Sequence, residues 1–294
     1  MTPPHSNKLL DLEPQLGSID NFPHAQGSFS DVYKGLITEE SVDVQVALKI
    51  FRVCDDERKN AVVFEHYRRE VRAYERLHRN PHVAEVLGVA TIGVKPALVT
   101  KWYENGDIAH YPHLNPHVSI HNLTLDLVQG LKSLHSNYPP IVHGDLKPSN
   151  ILVDDDGHAI LSDFGLAYTL DGTEFTTTDL AGSCRFMAPE LLPTIIDDDS
   201  PPPVRTTRSD IWSLGCTIMQ LITSKKPYCT RRLDSQVVLS IVNGTPPYTE
   251  ADFLNAHIMS EADQCRNLWE VVGRCWEMDP ARRPTIDEFE SLIQ

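Results

Sequence analysis

Long apolar runs are absent from this sequence. None reaches the roughly 18 residues that a helix needs to cross a bilayer. The first residues show no basic flank followed by an apolar run, so we expect no ordinary secretory signal, and Thr2 stands where myristoylation requires Gly. We therefore expect a protein without a membrane span that works in the cytoplasm.

Cysteine pairs at metal-binding or redox spacing are also absent. The six cysteines form no C-x-x-C motif and follow no regular spacing, so neither a zinc ribbon nor a disulfide framework is indicated. This number is ordinary for a chain of 294 residues in a reducing compartment. We expect free thiols at positions 54, 184, 216, 229, 265 and 275.

Basic charge is scarce relative to acidic charge. Lys and Arg together number 26 against 41 Asp and Glu, which gives a formal net charge of -15, and the basic residues form no large cluster. Such a chain does not attract nucleic acids or anionic membranes. We expect no nucleic-acid partner and a better tolerance of basic protein substrates, and the oligomeric state stays open.

The sequence does contain a dense group of polar residues between apolar ones. The stretch from Ile141 to Asn150 includes Asp145 and Lys147, and Asp163 follows after a short predicted hairpin, in Asp-Phe-Gly. Phosphoryl transfer needs a carboxylate that accepts a hydroxyl proton, a lysine that steadies a phosphate, and side chains that hold magnesium. The pattern predicts these roles for Asp145, for Lys147, and for Asn150 with Asp163.

A second set of charged residues lies in apolar surroundings nearer the N-terminus. The run 44–51 is typical of a strand that is apolar on nearly both faces, with Lys49 near its end. Glu70 falls on the apolar stripe of a helix predicted over 58–79. A buried charge needs a partner, and Lys49 is the natural candidate for Glu70. Taken separately, Lys49 could extend to solvent and Glu70 could be one charge of a mixed helix.

Together these elements resemble the protein kinase family. The resemblance runs from about Phe22 to the C-terminus, and it implies ATP and Mg²⁺ as cofactors and a protein substrate. It also implies that Lys49 orients the α- and β-phosphates while Glu70 fixes Lys49. The motifs are Val-Ala-Leu-Lys at 46–49, His-Gly-Asp-Leu-Lys-Pro-Ser-Asn at 143–150, Asp-Phe-Gly at 163–165, Ala-Pro-Glu at 188–190, Asp-Ile-Trp-Ser-Leu-Gly at 210–215 and Cys-Trp at 275–276.

The fold implied by this resemblance is α+β and bilobal. We expect an N-terminal extension at 1–20, followed by a small N-lobe at 21–103 built from a five-stranded antiparallel sheet and one helix. A larger, mainly α-helical C-lobe is expected at 104–294. Its sequence predicts an amphipathic helix over about 118–136 and a hairpin over 151–161.

The resemblance also assigns residues to a nucleotide site. The nucleotide loop, residues 25–32, has Ala25, Gly27 and Ser30 where the family usually has three glycines. Small residues leave room for a phosphate, but Ala and Ser restrict positive φ, so a stiffer loop is expected. Alone, this pattern also fits an ordinary hairpin turn. The other residues expected at the nucleotide are Val32, Ala47, Lys49, Thr100, Trp102, Tyr103, Leu152 and Asp163.

Two departures from the family pattern concern regulation. Gly144 stands where many regulated kinases have an arginine that pairs with a phosphate on the activation segment. We therefore expect activity that does not depend on such a phosphate. Ser183 replaces a threonine that bonds the catalytic aspartate, and the threonines at 176–178 fit either phosphosites or a polar mobile loop.

Two buried charges are expected to support the site. Asp210 lies near the start of a largely apolar helix, with Ser209 or an adjacent residue as its cap, and burial there requires bonds from backbone N–H groups. By resemblance, Asp210 braces the catalytic loop. Arg283 is expected to pair with Glu190.

Lys147 indicates specificity for serine and threonine, since tyrosine kinases usually lack a lysine at this position. The Thr100 hinge and the Cys-Trp ending resemble the tyrosine-kinase-like branch of Ser/Thr kinases. Small-molecule phosphotransferases of the aminoglycoside kinase type also carry His-Gly-Asp, but they favour histidine at the position of Lys147 and lack the later motifs.

A pseudokinase scaffold is the other alternative. It is motivated by Ala25 and Ser30 in the nucleotide loop. Loss of catalysis should have damaged at least one essential residue, whereas all of them are present: Lys49, Glu70, Asp145, Asn150 and Asp163.

Overall fold

The computed structural model describes residues 9–77, 80–165, 168–169, 184–192, 203–256 and 262–293. These residues form two compact units. The first contains the described residues up to Glu104 together with 163–165, and the second contains 105–162 and the described residues from 168 onwards. None of the described helices is both long enough and apolar enough to cross a membrane.

A seven-stranded sheet forms most of the first unit. The strands are β1 (Leu10–Asp11), β2 (Leu16–Ile19), β3 (Ala25–Gln26), β4 (Ser30–Glu39), β5 (Val42–Phe51), β6 (Val86–Ile92) and β7 (Lys95–Lys101). Their order in the sheet is β1-β6-β7-β5-β4-β2, with β3 paired to β4. All neighbours are antiparallel except β1 and β6, which are parallel.

Strand β5 shows how the sequence assigns side chains to the two faces of this sheet. Successive strand residues point to opposite faces, and Val46, Leu48 and Ile50 are buried on one of them. Ala47 and Lys49 therefore point to the other face, where they are only partly buried. The buried core also includes Leu12, Ile37, Ala90, Ala97 and Val99.

Helix α1 (Glu57–Arg76) is the helix predicted from the apolar stripe. Asp56 begins it by accepting hydrogen bonds from the first-turn amides of Arg58 and Lys59. The buried positions recur at helical spacing, so Glu70 lies on the same buried stripe as apolar residues. That stripe consists of Val63, His66, Glu70, Ala73 and Tyr74.

The sheet differs from the prediction in strand number, because five antiparallel strands were expected. Strands β1 and β2 lie within the segment assigned to an extension, and Leu12 between them is 2% exposed. A side chain at Gly88 would collide with Leu12 and with the Leu10 carbonyl, at 2.8 Å and 2.4 Å. Strands of two to four residues show too little periodicity to be recognised in a sequence. The boundaries predicted near residues 20 and 103 stay predictions.

The second unit is mainly helical. Its helices are α2 (Tyr111–Leu114), α3 (Ile120–His135), α4 (Thr207–Thr223), α5 (Asp234–Val242), α6 (Glu250–Leu254), α7 (Ala262–Cys275) and α8 (Ile286–Ile293). Four short strands form two antiparallel pairs. They are β8 (Ile141–Val142), β9 (Ile151–Val153), β10 (Ala159–Leu161) and β11 (Tyr168–Thr169).

Helices α3 and α4 form the buried centre of this unit. On α3 the buried leucines 123, 127, 131 and 134 recur at helical spacing, as predicted. Nearly all of α4 is buried, including Trp212. Its cap is Thr206, whose side chain and that of Ser209 bond each other's backbone amides in a capping box. The predicted cap, Ser209 or an adjacent residue, was therefore wrong, because the cap lies three residues before Ser209.

Candidate active site

Lys49 lies at the centre of a charged cluster in the first unit. Its Nζ donates to both carboxylate oxygens of Glu70, at 2.8 Å each, and to Oδ1 of Asp163 at 2.6 Å. Glu70 is 1% exposed, whereas the Asp163 side chain is 43% exposed. The predicted pairing of Lys49 with Glu70 is confirmed, and the lysine bridges a buried carboxylate and an accessible one.

The Asp-Phe-Gly motif supplies the accessible carboxylate through an unusual backbone. Asp163 has a φ of 61°, in the left-handed region, and the buried ring of Phe164 packs edge-on against Tyr74 with 5.0 Å between ring centroids. A Cβ at Gly165 would lie 3.3 Å from Asp163 Oδ1 and 3.4 Å from Glu70 Oε2. Glycine therefore leaves this cluster the room that it needs.

Burial and charge act in opposite directions on this cluster. Burial by itself lowers the pKa of Lys49, but the carboxylates of Asp163 and Glu70 outweigh it, and the pKa of Lys49 is raised. Burial raises the pKa of Glu70 to about 7, although Lys49 opposes that rise. Lys49 is thus held as a cation, while Glu70 is the carboxylate whose charge is costly.

Strand pairing gathers the residues predicted at the nucleotide in the first unit. Val32 lies opposite Lys49, and Ala25 lies opposite Val32. Ala47 lies opposite Thr100. Directly paired residues share a face of a sheet, and Ala47 and Lys49 are two apart on β5. These five residues therefore share one face, opposite the buried core.

Trp102 and Tyr103, the next residues predicted at the nucleotide, have side chains that contact other residues of the protein. The Trp102 ring lies 4.9 Å from the Lys34 ammonium and 5.0 Å from the His24 ring. The buried Tyr103 accepts a hydrogen bond from the backbone N–H of Glu85 at 3.0 Å. The prediction concerned the backbone groups of Trp102 and Tyr103, and it stays a prediction.

A second cluster lies in the catalytic-loop stretch of the second unit. Lys147 Nζ donates to Asp145 Oδ2 at 2.6 Å. Asn150 Nδ2 donates to the same oxygen at 3.0 Å and to the Asp145 carbonyl at 2.9 Å. The short 3-10 turn Pro148–Asn150 places the asparagine there. Two of the three predicted residues, Lys147 and Asn150, therefore donate to one carboxylate oxygen of the third, Asp145.

Asp210 fixes the backbone that leads into this cluster. Its Oδ2 accepts from the His143 N–H at 2.8 Å, and its Oδ1 accepts from the Gly144 N–H at 2.9 Å. Burial of this carboxylate is thus balanced by backbone donors, and the predicted brace is confirmed. His135 Nε2 lies 2.9 Å from Asp210 Oδ2, and Arg205 Nε donates to the Gly144 carbonyl at 3.1 Å.

His143 is buried and contributes hydrogen bonds on both ring nitrogens. The Asp145 N–H lies 3.4 Å from His143 Nδ1, and His143 Nε2 lies 3.2 Å from the Ser162 carbonyl. A carbonyl only accepts, so Nε2 carries the proton and Nδ1 accepts from Asp145. The ring thus links Asp145 to Ser162, the residue that follows the hairpin.

Arg283 and Glu190 form the ion pair that was predicted from the motifs. Arg283 Nη1 and Nη2 donate to the two carboxylate oxygens at 2.6 and 2.7 Å. The guanidinium also donates to the carbonyls of Glu277 and Arg208, each at 2.9 Å, and lies 5.2 Å from the Trp212 ring. The pair is therefore a two-pronged contact with its remaining donors occupied.

The structure places the predicted residues in two groups. Lys49, Glu70 and Asp163 meet in the first unit, and Asp145, Lys147 and Asn150 meet in the second. Leu152 lies on β9 of the second unit. The predictions for Thr176 to Thr178 and for Ser183 lie outside the described residues. His135 and Arg205 were missed, because neither stands in a motif or at a recognisable spacing.

Comparison with known protein families identifies the family of this chain. The family pattern described as protein kinase domain matches residues 25–291. The chain belongs to the protein kinase family. This assignment confirms the predicted family and the bilobal α+β fold class.

Individual kinases are similar to this chain at moderate identity. It is 28% identical to mitogen-activated protein kinase kinase kinase 5 of Arabidopsis thaliana over 266 residues, which cover 88% of this chain and 34% of that protein. It is 27% identical to serine/threonine-protein kinase STY17 of the same plant over 273 residues, which cover 92% and 43%. The chain spans less than half the length of these relatives.

Proposed function

We propose that this kinase domain transfers the γ-phosphoryl group of Mg-ATP to serine and threonine hydroxyls of proteins. The observation that carries the proposal is the arrangement around Asp145. Its carboxylate is oriented by Lys147 and Asn150, and the backbone before it is fixed by Asp210. Positioning and electrostatics supply most of the acceleration in phosphoryl transfer.

Asp145 is the proposed base. Its Oδ2 accepts from both Lys147 and Asn150, so the carboxylate is held in one orientation. In this role the other carboxylate oxygen, Oδ1, would accept the proton of the attacking hydroxyl, and Lys147 would balance the negative charge of the transferred group.

Lys49 is the proposed contact for the α- and β-phosphates. Its raised pKa means that it stays cationic at neutral pH. Glu70 holds the ammonium through two hydrogen bonds of 2.8 Å. A bound phosphate would accept a hydrogen bond from Lys49 in competition with Asp163. The exposed carboxylate of Asp163 would then bind a metal ion.

Asp163 and Asn150 are the proposed magnesium ligands. The amide nitrogen of Asn150 donates to Asp145, whereas its oxygen accepts only a long contact of 3.5 Å from the Ser149 hydroxyl, so the oxygen is the proposed ligand atom. Carboxylate and amide oxygens suit Mg²⁺, which usually keeps substrate phosphates and waters in its shell. When bound, magnesium neutralises charge on the phosphates. The donor set therefore fits the ion.

Serine and threonine specificity is supported by Lys147 and by the names of the similar kinases, among them serine/threonine-protein kinase STY17 of Arabidopsis thaliana. The resemblance to the tyrosine-kinase-like branch belongs to the same proposal. A cytoplasmic location is supported by free thiols at Cys54, Cys184, Cys216, Cys229 and Cys275. Protein substrates without nucleic-acid partners agree with the acidic net charge of -15.

The experiment is phosphorylation of a generic basic protein by the purified chain with Mg-ATP. We expect Asp145→Asn to lower kcat by about 10²–10⁴-fold, because the amide cannot accept the proton. We expect Lys49→Met to impair both ATP binding and transfer. The control is Asp156→Asn, an exposed residue in the turn between β9 and β10.

The outcomes separate the alternatives. Equal incorporation by wild type, Asp145→Asn and Lys49→Met would indicate a contaminating kinase. Binding of Mg-ATP by the wild type without any transfer would favour a pseudokinase scaffold. Transfer to an aminoglycoside, but not to proteins, would favour a small-molecule phosphotransferase.

A further inference from the structure

The turn of the nucleotide loop, residues 27–30, is held by a residue outside it. Arg52, which directly follows β5, donates hydrogen bonds to all four backbone carbonyls of this turn. Its guanidinium reaches three of them, and its backbone N–H reaches the fourth. The acceptors are the carbonyls of Gly27 at 2.5 Å, Ser28 at 2.6 Å and Ser30 at 3.3 Å, and that of Phe29 at 2.8 Å for the backbone donor.

Asp31 orients the same guanidinium. Its Oδ1 accepts from Arg52 Nη1 at 2.5 Å, and its side chain is 15% exposed. A planar guanidinium presents several donors in a fixed fork, whereas a lysine offers one compact ammonium. The side chain of Arg52 can therefore bind three carbonyls and a carboxylate at once.

His66 holds the turn from a second side. The Phe29 ring stacks on the His66 ring with 4.0 Å between centroids and 23° between planes. His66 is buried on α1, and its Nδ1 lies 2.9 Å from the Gly165 carbonyl. Because a carbonyl only accepts, Nδ1 carries the proton in this contact. One imidazole thus connects the turn to the helix that carries Glu70 and to the residues beside Asp163.

We propose that Arg52 and His66 are positioning residues that hold the nucleotide loop in its binding conformation before ATP arrives. This inference rests on the proposed function. Ala25 and Ser30 replace two glycines that would make the loop adaptable. A loop that is ordered in advance loses less conformational entropy on binding, and a loop that is ordered only part of the time binds with proportionally weaker apparent affinity.

The first test is Arg52→Gln, compared with Arg52→Lys. We expect the KM for ATP to rise about five- to tenfold in Arg52→Gln, since the turn loses three carbonyl contacts. The change in kcat should stay below twofold, because Arg52 contacts neither charged cluster. Arg52→Lys keeps the charge but not the fork, so it should rescue the KM only in part. Arg72→Gln, an exposed position on α1, is the matched control.

The second test measures the loop without nucleotide. Backbone amide hydrogen exchange of a peptide covering 27–31 should be faster in Arg52→Gln than in the wild type and in Arg72→Gln. His66→Asn, which keeps a donor but removes the stacked ring, should also accelerate exchange and raise the KM for ATP about threefold. His66→Phe keeps the ring and should give the smaller effect on exchange.

These measurements distinguish the inference from the proposed function. Wild-type KM and wild-type exchange in Arg52→Gln would overturn the inference, and so would a lower melting temperature with an unchanged KM. If the wild type neither binds ATP nor transfers phosphate, the proposed function fails. Exchange without nucleotide then still decides whether Arg52 holds the loop: faster exchange in Arg52→Gln supports the restraint, and unchanged exchange overturns it.

Discussion

Glu70 combines nearly complete burial with two hydrogen bonds from a single lysine. The pKa of this carboxyl is about 7 in the folded state, against an ordinary value of 4.5, because burial disfavours its charged form. Between these two values the folded state binds more protons than the unfolded state. The protonated Glu70 carboxyl therefore adds its full contribution to the free energy of unfolding below about pH 4.5. This contribution is lost as the pH rises through about 7.

We predict that the free energy of unfolding of the wild type falls more steeply between pH 5 and pH 8 than that of Glu70→Gln. The difference should be about 1–3 kcal/mol over this interval, because glutamine cannot exchange the proton. Urea denaturation at several pH values measures it. Glu39→Gln, at an exposed strand end, is the control and should follow the wild type. Parallel curves for the wild type and Glu70→Gln would contradict the assignment.

Arg283 offers a second prediction at a single residue. Its side chain is fully buried, whereas that of its neighbour Arg282 is 73% exposed. Arg283→Met leaves Glu190 without its cation and two carbonyls without their donor, so we expect a loss of about 3–5 kcal/mol in stability. Arg282→Met should change stability by less than about 0.5 kcal/mol. Chemical denaturation of the two variants gives the comparison, and similar losses in both would show that burial of Arg283 does not matter.

These pairs also show what could be read from residues alone. Lys49 and Glu70 were matched because a carboxylate on an apolar helical stripe needs a cation, and the structure places them 2.8 Å apart. Asp163 accepts a hydrogen bond from the same lysine. Its left-handed backbone conformation places it there, and no local sequence pattern predicts that conformation. His135 and Arg205 act on the catalytic loop from distant parts of the chain, so only tertiary contacts reveal them.

At the scale of elements, the N-terminal strands are the main departure from the prediction. Leu10–Asp11 pairs with β6, and Leu12 enters the core of the sheet. The neighbouring side chain of Leu10 is 67% exposed. Leu10 and Leu12 therefore allow a buried and an exposed leucine of the same short segment to be compared.

We predict that Leu12→Ala destabilises the protein by about 2–4 kcal/mol, because it removes buried methyl groups and leaves a cavity. Leu10→Ala should change stability by less than about 0.5 kcal/mol. Thermal or urea unfolding distinguishes the two. A loss below about 1 kcal/mol for Leu12→Ala would mean that the segment does not contribute to the sheet in solution.

Helix α1 was predictable because its signal is long and periodic. Its start at Glu57, after the Asp56 cap, lies one residue from the predicted start. Strands β1 and β3 have two residues each, and pairing with β6 and β4 determines them more than their own composition does. The cap of α4 was misplaced for a related reason, since several consecutive residues could form such a cap and only the backbone selects Thr206.

At the scale of the whole molecule, the question is whether activity requires a phosphate on the protein itself. Gly144 has a φ of 77° and lies where many regulated kinases have an arginine. Its N–H is bound by Asp210 and its carbonyl by Arg205. The catalytic loop is thus fixed by buried side chains on both sides of this residue.

We predict that phosphatase treatment leaves the transfer rate within twofold of the untreated protein. The reason is that the loop needs no phosphate contact to be ordered at position 144. Mass spectrometry must show that phosphate has been removed, and Asp145→Asn sets the inactive baseline. A loss of more than about tenfold after dephosphorylation would contradict the prediction.

The sequence by itself determined the family, the long elements and the identity of the charged residues, because these depend on local spacing and on the requirement that a buried charge be paired. The tertiary structure decided which partners share each charge and how the short strands pair. It also decided which residues contact the turn of the nucleotide loop, since sheet and helix packing bring Arg52 and His66 to that turn. Such contacts join residues far apart in the chain, and no local pattern encodes them.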